Sequence, residues 1–296
     1  MSQPLIFITG ATGFIGSHVV SQALEADYRV RLSVRKGSQI SRLKEVFANH
    51  TAKLDFVVIP DLAKPGAFKQ ALRDTDYVFH IASPMPGAGD DFKADYLAPA
   101  EQEGSSASIP IDRDVEFPDD PQTSAGLKYQ ASKILAHRSV LEWAPKNKPS
   151  FTIVTLHPSF VFGRNLTQTS GDGIDGTNGM LWKSLFSEKP IVPMVAVDVR
   201  DVALAHLRAL DLDVKEQSTV QEFVLSSPDA GWEWDRVVEF TREEYPHLDI
   251  QLKGPFEKVS KGKADRATKL LGIQWRTMEE TVASFLDHQV ELKAQL

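Results

Sequence analysis

Residues 5–20 read LIFITGATGFIGSHVV, and this stretch decides how the chain begins to fold. Its first five residues form an apolar run with the length of a buried strand, and from Phe14 onward apolar residues recur at helical spacing. Gly10 and Gly13 lie between them and Gly16 follows shortly after, which indicates a tight turn from strand to helix. Glycine at such a turn lets the backbone approach a pyrophosphate, whose charge then lies at the positive end of the helix. The stretch predicts a dinucleotide-binding turn that holds its cofactor through Gly10, Thr12, Gly13, Phe14, Ile15 and Gly16.

Further runs typical of strands lie at residues 29–34, 54–59, 77–82, 151–156 and 222–225. Helical patterns separate the first of them, and strands that alternate with helices form right-handed βαβ units around a parallel sheet. From about residue 232 the pattern is helical. We therefore expect an α/β protein, a Rossmann-type doubly wound parallel sheet with a small, mostly helical C-terminal lobe. The expected cofactor core comprises residues 1–160 and 197–226, and the expected substrate-binding lobe comprises 161–196 and 227–296.

Composition and charge exclude several classes of protein. The net charge of −7 is spread without a basic stripe, so we expect no nucleic acid partner. The chain has no cysteine, and its eight histidines show no HxxH or HExxH spacing, so we expect no metal. Its apolar runs are too short for a bilayer, and the first basic residue is Arg29, which is untypical of a targeting peptide. These features favour a cytoplasmic monomer or homodimer that binds a small molecule and no membrane.

The end of the second predicted strand indicates which nicotinamide cofactor is bound. It reads Ser33-Val34-Arg35-Lys36, whereas an NAD-binding protein has Asp or Glu there to hold the ribose 2′-hydroxyl. Arg35 can bind a 2′-phosphate with its guanidinium fork, and Arg42 can add a second charge, which favours NADPH. Asp61 and Leu62, directly after the third strand, are expected beside the adenine. The alternative interpretation of the arginines is that they are solvated surface cations.

Tyr129 and Lys133 form a candidate catalytic pair. They lie four residues apart on a predicted helix that runs to Trp143, so they share one face of it. The ammonium is then expected to lower the pKa of the phenol, which can exchange a proton near neutral pH. A Tyr-x-x-x-Lys match is common by chance, but downstream of a phosphate-binding turn it predicts catalysis.

With these motifs in place, the chain resembles the extended short-chain dehydrogenases/reductases, in the branch of dihydroflavonol, cinnamoyl-CoA and methylglyoxal/ketone reductases. The resemblance is carried by TGATGFIGSHVV at 9–20, VFHIASP at 78–84, YQASK at 129–133, HPSFVFG at 157–163 and VDVRDVA at 197–203. It implies an NADPH-dependent reductase with Tyr129 as proton donor and Lys133 on the nicotinamide ribose. It also implies that further cofactor contacts come from Ala82, Ser83, His157, Pro158 and Ser159.

The segment between residues 82 and 150 departs from the pattern of that family. A member carries there a helix, a buried strand that ends in a catalytic Ser or Thr, and the helix with Tyr and Lys. Here about two dozen residues, half a helix and a strand, are missing. Ser106 matches the catalytic serine best, and an ordinary loop serine is the alternative. Because the strands at 77–82 and 151–156 lose a neighbour, we expect residues 105–111 to enter as a short strand, with direct pairing as the alternative.

The sequence thus predicts an NADPH-dependent reductase of a small ketone or aldehyde, with Tyr129, Lys133 and Ser106 as catalytic residues and secondary metabolism as a candidate setting. One alternative is a nucleotide-sugar epimerase or dehydratase that keeps NAD bound, which Arg35 disfavours. A second alternative is a non-catalytic NADP(H) sensor or inactive variant, which the missing strand favours.

Overall fold

A four-stranded parallel sheet forms near the amino terminus. The computed structural model describes residues 3–83, 125–214, 220–259 and 262–294, with the side chains of 125–127 left out. The sheet has the order β3-β2-β1-β4, and its strands are β1 (Leu5–Thr9), β2 (Arg29–Val34), β3 (Leu54–Val58) and β4 (Tyr77–His80). All five residues of β1 are buried, as expected for a central parallel strand covered on both faces. The register pairs Ile8 with Leu32 and Thr9 with His80, so the carboxyl ends of these strands lie along one edge.

Helical crossovers join the first three strands. Helix α1 (Phe14–Glu25) connects β1 to β2, and α2 (Gln39–Val46) with a 3₁₀ helix (Ala48–Lys53) connects β2 to β3. Val20, Ala23 and Leu24 of α1 are buried, because they recur on one face at helical spacing. The strand order and the crossovers are those of the first half of a Rossmann fold, which confirms the predicted fold class.

Four later strands form two two-stranded sheets. They are β5 (Val154–Pro158), β6 (Phe160–Phe162), β7 (Ala196–Asp198) and β8 (Gln221–Leu225), and β5 pairs with β8 while β6 pairs with β7. Helix α3 (Ala125–Asn147) precedes β5. The prediction of a strand at 151–156 was wrong by three residues at its start. Phe151 is 58% exposed, and pairing begins only where Gln221 N donates to Ile153 O, so the partner strand sets the boundary.

The parallel sheet is interrupted between β4 and β5 in the part of the chain that the structure describes. There β4 pairs with β1 and β5 pairs with β8. Direct pairing of the strands at 77–82 and 151–156 does not occur among these residues. The short strand expected at 105–111 falls outside the described residues, as does Ser106.

Contacts divide the chain into two compact units. The first comprises Met1–Gly16, Val20–His157 and Leu210–Phe223, and the second comprises Ser17–Val19, Pro158–Ala209 and Val224–Leu296. This division groups residues 197–209 with the second unit, whereas the sequence-based boundaries grouped them with the cofactor core. The assignment of one part to the cofactor and another to the substrate stays a prediction.

The second unit is mostly helical. Its helices are α4 (Gly176–Leu185), α5 (Val199–Ala209), α6 (Trp234–Glu244), α7 (Asp265–Leu271) and α8 (Met278–Ala294), with a short 3₁₀ helix at Pro246–Leu248. Its core includes the fully buried Phe162, Trp232 and Phe285. Asp198 accepts two hydrogen bonds from the Arg200 side chain where α5 begins, at 2.9 and 2.6 Å. None of the described helices combines the length and apolar character needed to cross a membrane.

Candidate cofactor and catalytic site

The predicted cofactor residues of the first unit follow four neighbouring strands. The glycine turn follows β1, Arg35 follows β2, Asp61 lies three residues after β3, and Ala82 lies two residues after β4. Since these strands are parallel and adjacent, all four segments lie at the carboxyl edge of the sheet. Ligands of open α/β sheets bind at this edge.

Two glycines of the turn are required by its geometry. Gly10 has a φ of +76°, and a Cβ there would lie 2.7 Å from the backbone nitrogen of Ala82. A Cβ on Gly16 would overlap the carbonyl oxygen of Gly10, so α1 approaches the turn more closely than a side chain permits. Gly13 N donates to Gly10 O at 2.9 Å and closes the turn.

The amino terminus of α1 is suited to an anion. Gly13 occupies the N-cap position and no described side chain caps the helix. The first turn contains no acidic residue. Its backbone N–H groups and the positive end of the helix dipole therefore fit the pyrophosphate of a dinucleotide.

Thr9 joins the glycine turn to the segment after β4, and sequence reasoning missed it. Its buried hydroxyl oxygen accepts hydrogen bonds from Ile81 N and Ala82 N, both at 3.1 Å. Because two donors use its lone pairs, its own hydrogen points to His80 Nδ1, 3.0 Å away. Desolvation and then the charge of Lys133 lower the pKa of His80 to about 4, although part of the residue reaches solvent. His80 is thus a neutral acceptor at pH 7.

Arg35 lies exposed beyond the end of β2. Its backbone N–H and that of Lys36 both donate to the side-chain oxygen of Gln39, at 3.0 and 3.1 Å, which fixes the turn that carries it. Among the described residues no acidic side chain pairs with the Arg35 guanidinium. Arg42, in contrast, lies 3.5 Å from Glu45 on the same helix. Of the two predicted phosphate ligands, Arg35 is therefore the better suited.

The segment after β3 forms a defined turn at the same edge. Asp61 is exposed, and its Oδ1 accepts a hydrogen bond from Ala63 N at 2.9 Å. Leu62 packs against a small cluster that contains Phe7 and Ile59. This arrangement is compatible with an adenine beside Asp61 and Leu62, and their contact with the cofactor stays a prediction.

Tyr129 and Lys133 lie on one face of α3, as their spacing predicts. The Lys133 ammonium is 5.4 Å from the centre of the Tyr129 ring. Lys133 Nζ also donates to Ser83 Oγ, which lies three residues after β4. Helix α3 thus contacts the segment after β4, whose residues Ile81 and Ala82 bond to Thr9 beside the glycine turn.

His157, at the end of β5, packs its ring edge-on against His137 of α3, with ring centres 5.0 Å apart. Its Nε2 lies 2.9 Å from the hydroxyl of Thr155. Burial, and then His137, lower the pKa of His157 to about 3, so the ring is neutral at pH 7. Pro158 is exposed, and Ser159 N donates to Leu225 O at 2.9 Å. Contact of 157–159 with nicotinamide stays a prediction.

Comparison with known proteins identifies relatives of the whole chain. Residues 6–98 match the NAD dependent epimerase/dehydratase family. The ketoreductase sphI of Aspergillus fumigatus is 31% identical over 340 aligned positions, covering 98% of this chain and 99% of the relative. The ketoreductase azaE of Aspergillus niger is 32% identical over 337 positions, covering 97% of each. Yeast methylglyoxal/isovaleraldehyde reductase Gre2, solved with NADPH, has a TM-score of 0.79 at 22% identity, covering 99% of this chain and 100% of that one.

Fold, turn and relatives together define an oxidoreductase with a Rossmann fold and a nicotinamide cofactor. The chain belongs to the NAD dependent epimerase/dehydratase family, that is, to the extended short-chain dehydrogenases/reductases, as its motifs predict. The two curated relatives described above are both ketoreductases.

The alignment lengths also show that this chain lacks residues that its relatives have. Since 98% of 296 residues is about 290, about 50 of the 340 positions aligned with sphI have no residue in this chain. For azaE, 97% of 296 is about 287, which again leaves about 50 of 337. These numbers exceed the two dozen residues that the motif pattern predicts to be missing.

Proposed function

We propose that this protein is an NADPH-dependent reductase that converts a small ketone or aldehyde to an alcohol. The observation that carries the proposal is the contact of Lys133 with Ser83, because it connects the Tyr129 helix to the cofactor edge of the sheet. Relatives named as ketoreductases support the reaction, and the fungal ketoreductase relatives make secondary metabolism a candidate setting.

The residues of the edge fit NADPH. The uncapped α1 terminus and the close approach of Gly10 and Gly16 suit the pyrophosphate. Arg35 is exposed at the end of β2, where an NAD-binding protein would have a carboxylate. A guanidinium there matches the 2′-phosphate and disfavours the alternative of an epimerase with resident NAD.

The chemistry of this chain's own residues is proton transfer and charge stabilisation. When bound, NADPH supplies a hydride to the carbonyl carbon of the substrate. Tyr129 donates its phenolic proton to the carbonyl oxygen, and the Lys133 ammonium stabilises the negative charge left on the phenol. A proton from solvent then restores Tyr129. Participation of Ser106 stays a prediction, since this residue lies outside the described part of the chain.

The test is turnover by the purified protein. NADPH and a panel of carbonyl compounds, including methylglyoxal, isovaleraldehyde and flavonoid-like ketones, are mixed with the protein, and loss of reduced nicotinamide absorbance is followed. We expect oxidation that requires protein and carbonyl compound together. Cofactor binding without turnover of any compound would favour the sensor alternative, and NAD recovered from the purified protein would favour the epimerase alternative. Cytoplasmic location and a monomeric or homodimeric state stay predictions.

A further inference from the structure

Three potential metal ligands converge in the first unit. They are His137 of α3, His157 of β5 and Glu222 of β8. One ligand atom from each residue lies within 4.8 Å of the others. No local motif predicts this cluster, because its members come from three elements and lie up to 85 positions apart in the chain.

The three side chains make polar and ring contacts that apolar packing alone does not require. His137 Nε2 lies 2.7 Å from Glu222 Oε1, and the His137 side chain is only 10% exposed. Its other ring nitrogen, Nδ1, is buried without a hydrogen-bond partner among the described residues. The His157 ring stands edge-on against the same imidazole. The contact with Glu222 therefore accounts for one nitrogen of His137 and leaves the other without a partner among the described residues.

We infer that His137, His157 and Glu222 form a binding site for a divalent transition-metal ion of the zinc class. Two imidazoles and one carboxylate are a ligand set that zinc accepts, with a further position left for water. Tetrahedral donors on bonds of about 2.0 to 2.2 Å lie roughly 3.4 Å apart, so His137 Nε2 and Glu222 Oε1, now 2.7 Å apart, must separate slightly. Glu222, whose side chain is 45% exposed, supplies that movement and an entry path from solvent.

The surroundings of His157 match those of metal-bound histidines. A ligating imidazole usually donates its other N–H to an oxygen atom, which fixes the tautomer. The Thr155 hydroxyl, 2.9 Å from His157 Nε2, is suited to accept that N–H and leaves Nδ1 as the unprotonated nitrogen. The bound ion would link the helix that carries Tyr129 to both strands of the β5–β8 pair. We therefore assign the site a structural role, in which the ion holds α3 against β5 and β8.

The experiment measures metal binding without cofactor or substrate, so its outcome is independent of the proposed reductase activity. Chelator-treated protein is titrated with Zn²⁺ by calorimetry, and its thermal unfolding is followed with and without the ion. We expect one ion per chain and a raised unfolding midpoint. His137→Ala and Glu222→Gln should each weaken binding by at least about tenfold and reduce the shift of the midpoint.

Two matched controls remove similar groups elsewhere. His247→Ala deletes an exposed imidazole, and Glu142→Gln deletes an exposed carboxylate of α3. Both should bind Zn²⁺ like the parent. Should His137→Ala fail to fold, Glu222→Gln decides, because it changes a half-exposed side chain, and the visible absorption of bound Co²⁺ should be lost in it. No saturable binding by the parent, or equal binding by parent and Glu222→Gln, would overturn the inference.

Discussion

The carboxyl edge of the first sheet and the junction between β4 and β5 are held by different contacts among the residues that the structure describes. At the edge, Thr9, Gly10 and Gly16 connect neighbouring segments through short contacts within the first 83 residues. At the junction, the described strands do not pair, and α3 reaches β4 through Lys133 and Ser83. Local contacts therefore hold the predicted cofactor-binding edge, whereas α3, which carries Tyr129 and Lys133, reaches that edge through the side-chain contact of Lys133 with Ser83. Cofactor binding and turnover should be separable in this protein.

Tyr129→Phe is expected to give the largest difference between the effect on turnover and the effect on cofactor binding. Removing the phenolic proton donor should lower kcat by about 10² to 10⁴-fold, the usual contribution of a general acid, while NADPH affinity stays unchanged. Steady-state kinetics and fluorescence titration of NADPH measure the two quantities. Tyr28→Phe, which removes a hydroxyl outside the site, is the control and should keep full activity. Unchanged kcat in Tyr129→Phe would remove the catalytic role from α3.

Arg35→Asp should weaken the binding of NADPH far more than the binding of NADH. The change replaces the proposed phosphate partner with a like charge, and loss of a charge-assisted hydrogen bond costs about 1.5 to 3 kcal/mol, more than tenfold in affinity. NADPH should lose this much and NADH far less, in titrations under one ionic strength. Arg73→Asp changes an equally exposed arginine away from the edge and should leave both affinities intact. Equal losses for both cofactors in Arg35→Asp would refute the assignment of NADPH.

Gly16→Ala should weaken both cofactors alike, because it acts on the shared pyrophosphate turn. Its new Cβ would overlap the Gly10 carbonyl oxygen, so the start of α1 must move. Such overpacking costs about 1 to 3 kcal/mol of stability, measurable by denaturant unfolding. Gly37→Ala is the matched control, since no atom lies within 4 Å of a Cβ there. If both variants unfold at the same denaturant concentration, the close approach at Gly16 does not contribute to the free energy of unfolding.

Thr9→Val should cost about as much stability as Gly16→Ala, because two hydrogen bonds are lost. It keeps the shape of the side chain but removes the oxygen that accepts from Ile81 N and Ala82 N, at a net cost of about 0.5 to 1.5 kcal/mol per hydrogen bond. Thr9→Ser retains the hydroxyl and should recover most of the difference. The two variants are compared in denaturant unfolding and in NADPH titration. A Thr9→Ser variant as unstable as Thr9→Val would show that the methyl group, rather than the hydroxyl, matters.

The first half of the fold was predictable because its signals are local. The predicted bounds of β1 and β2 agree with the structure residue by residue, since apolar runs there end at glycine or at charge. The start of β5 was misplaced because Phe151 has a strand-forming side chain, yet the pairing with β8 begins after it. A distant partner, which no local pattern contains, fixes that boundary.

The candidate site was predictable where its residue types are diagnostic of chemistry. Glycines at a turn and a Tyr-x-x-x-Lys pair each have a specific use in known chemistry, and the roles of these residues here stay predictions. The role of Thr9 could not be predicted, because a threonine inside a strand is an ordinary β-branched residue there. The cluster of His137, His157 and Glu222 escaped because its members meet only after three elements have packed.

The contact between Lys133 and Ser83 also changes what cofactor binding costs in conformational freedom. An unrestrained lysine side chain carries about 2 kcal/mol of rotamer entropy, which a ligand would have to remove. Here the Ser83 hydroxyl already orders that side chain before any cofactor arrives. The Lys133 side chain is thus partly ordered during folding. The proposed ribose partner therefore binds an ammonium group that is already oriented. In thermodynamic terms, Ser83 contributes preorganisation, and its influence should show in the entropy of NADPH binding rather than in its enthalpy.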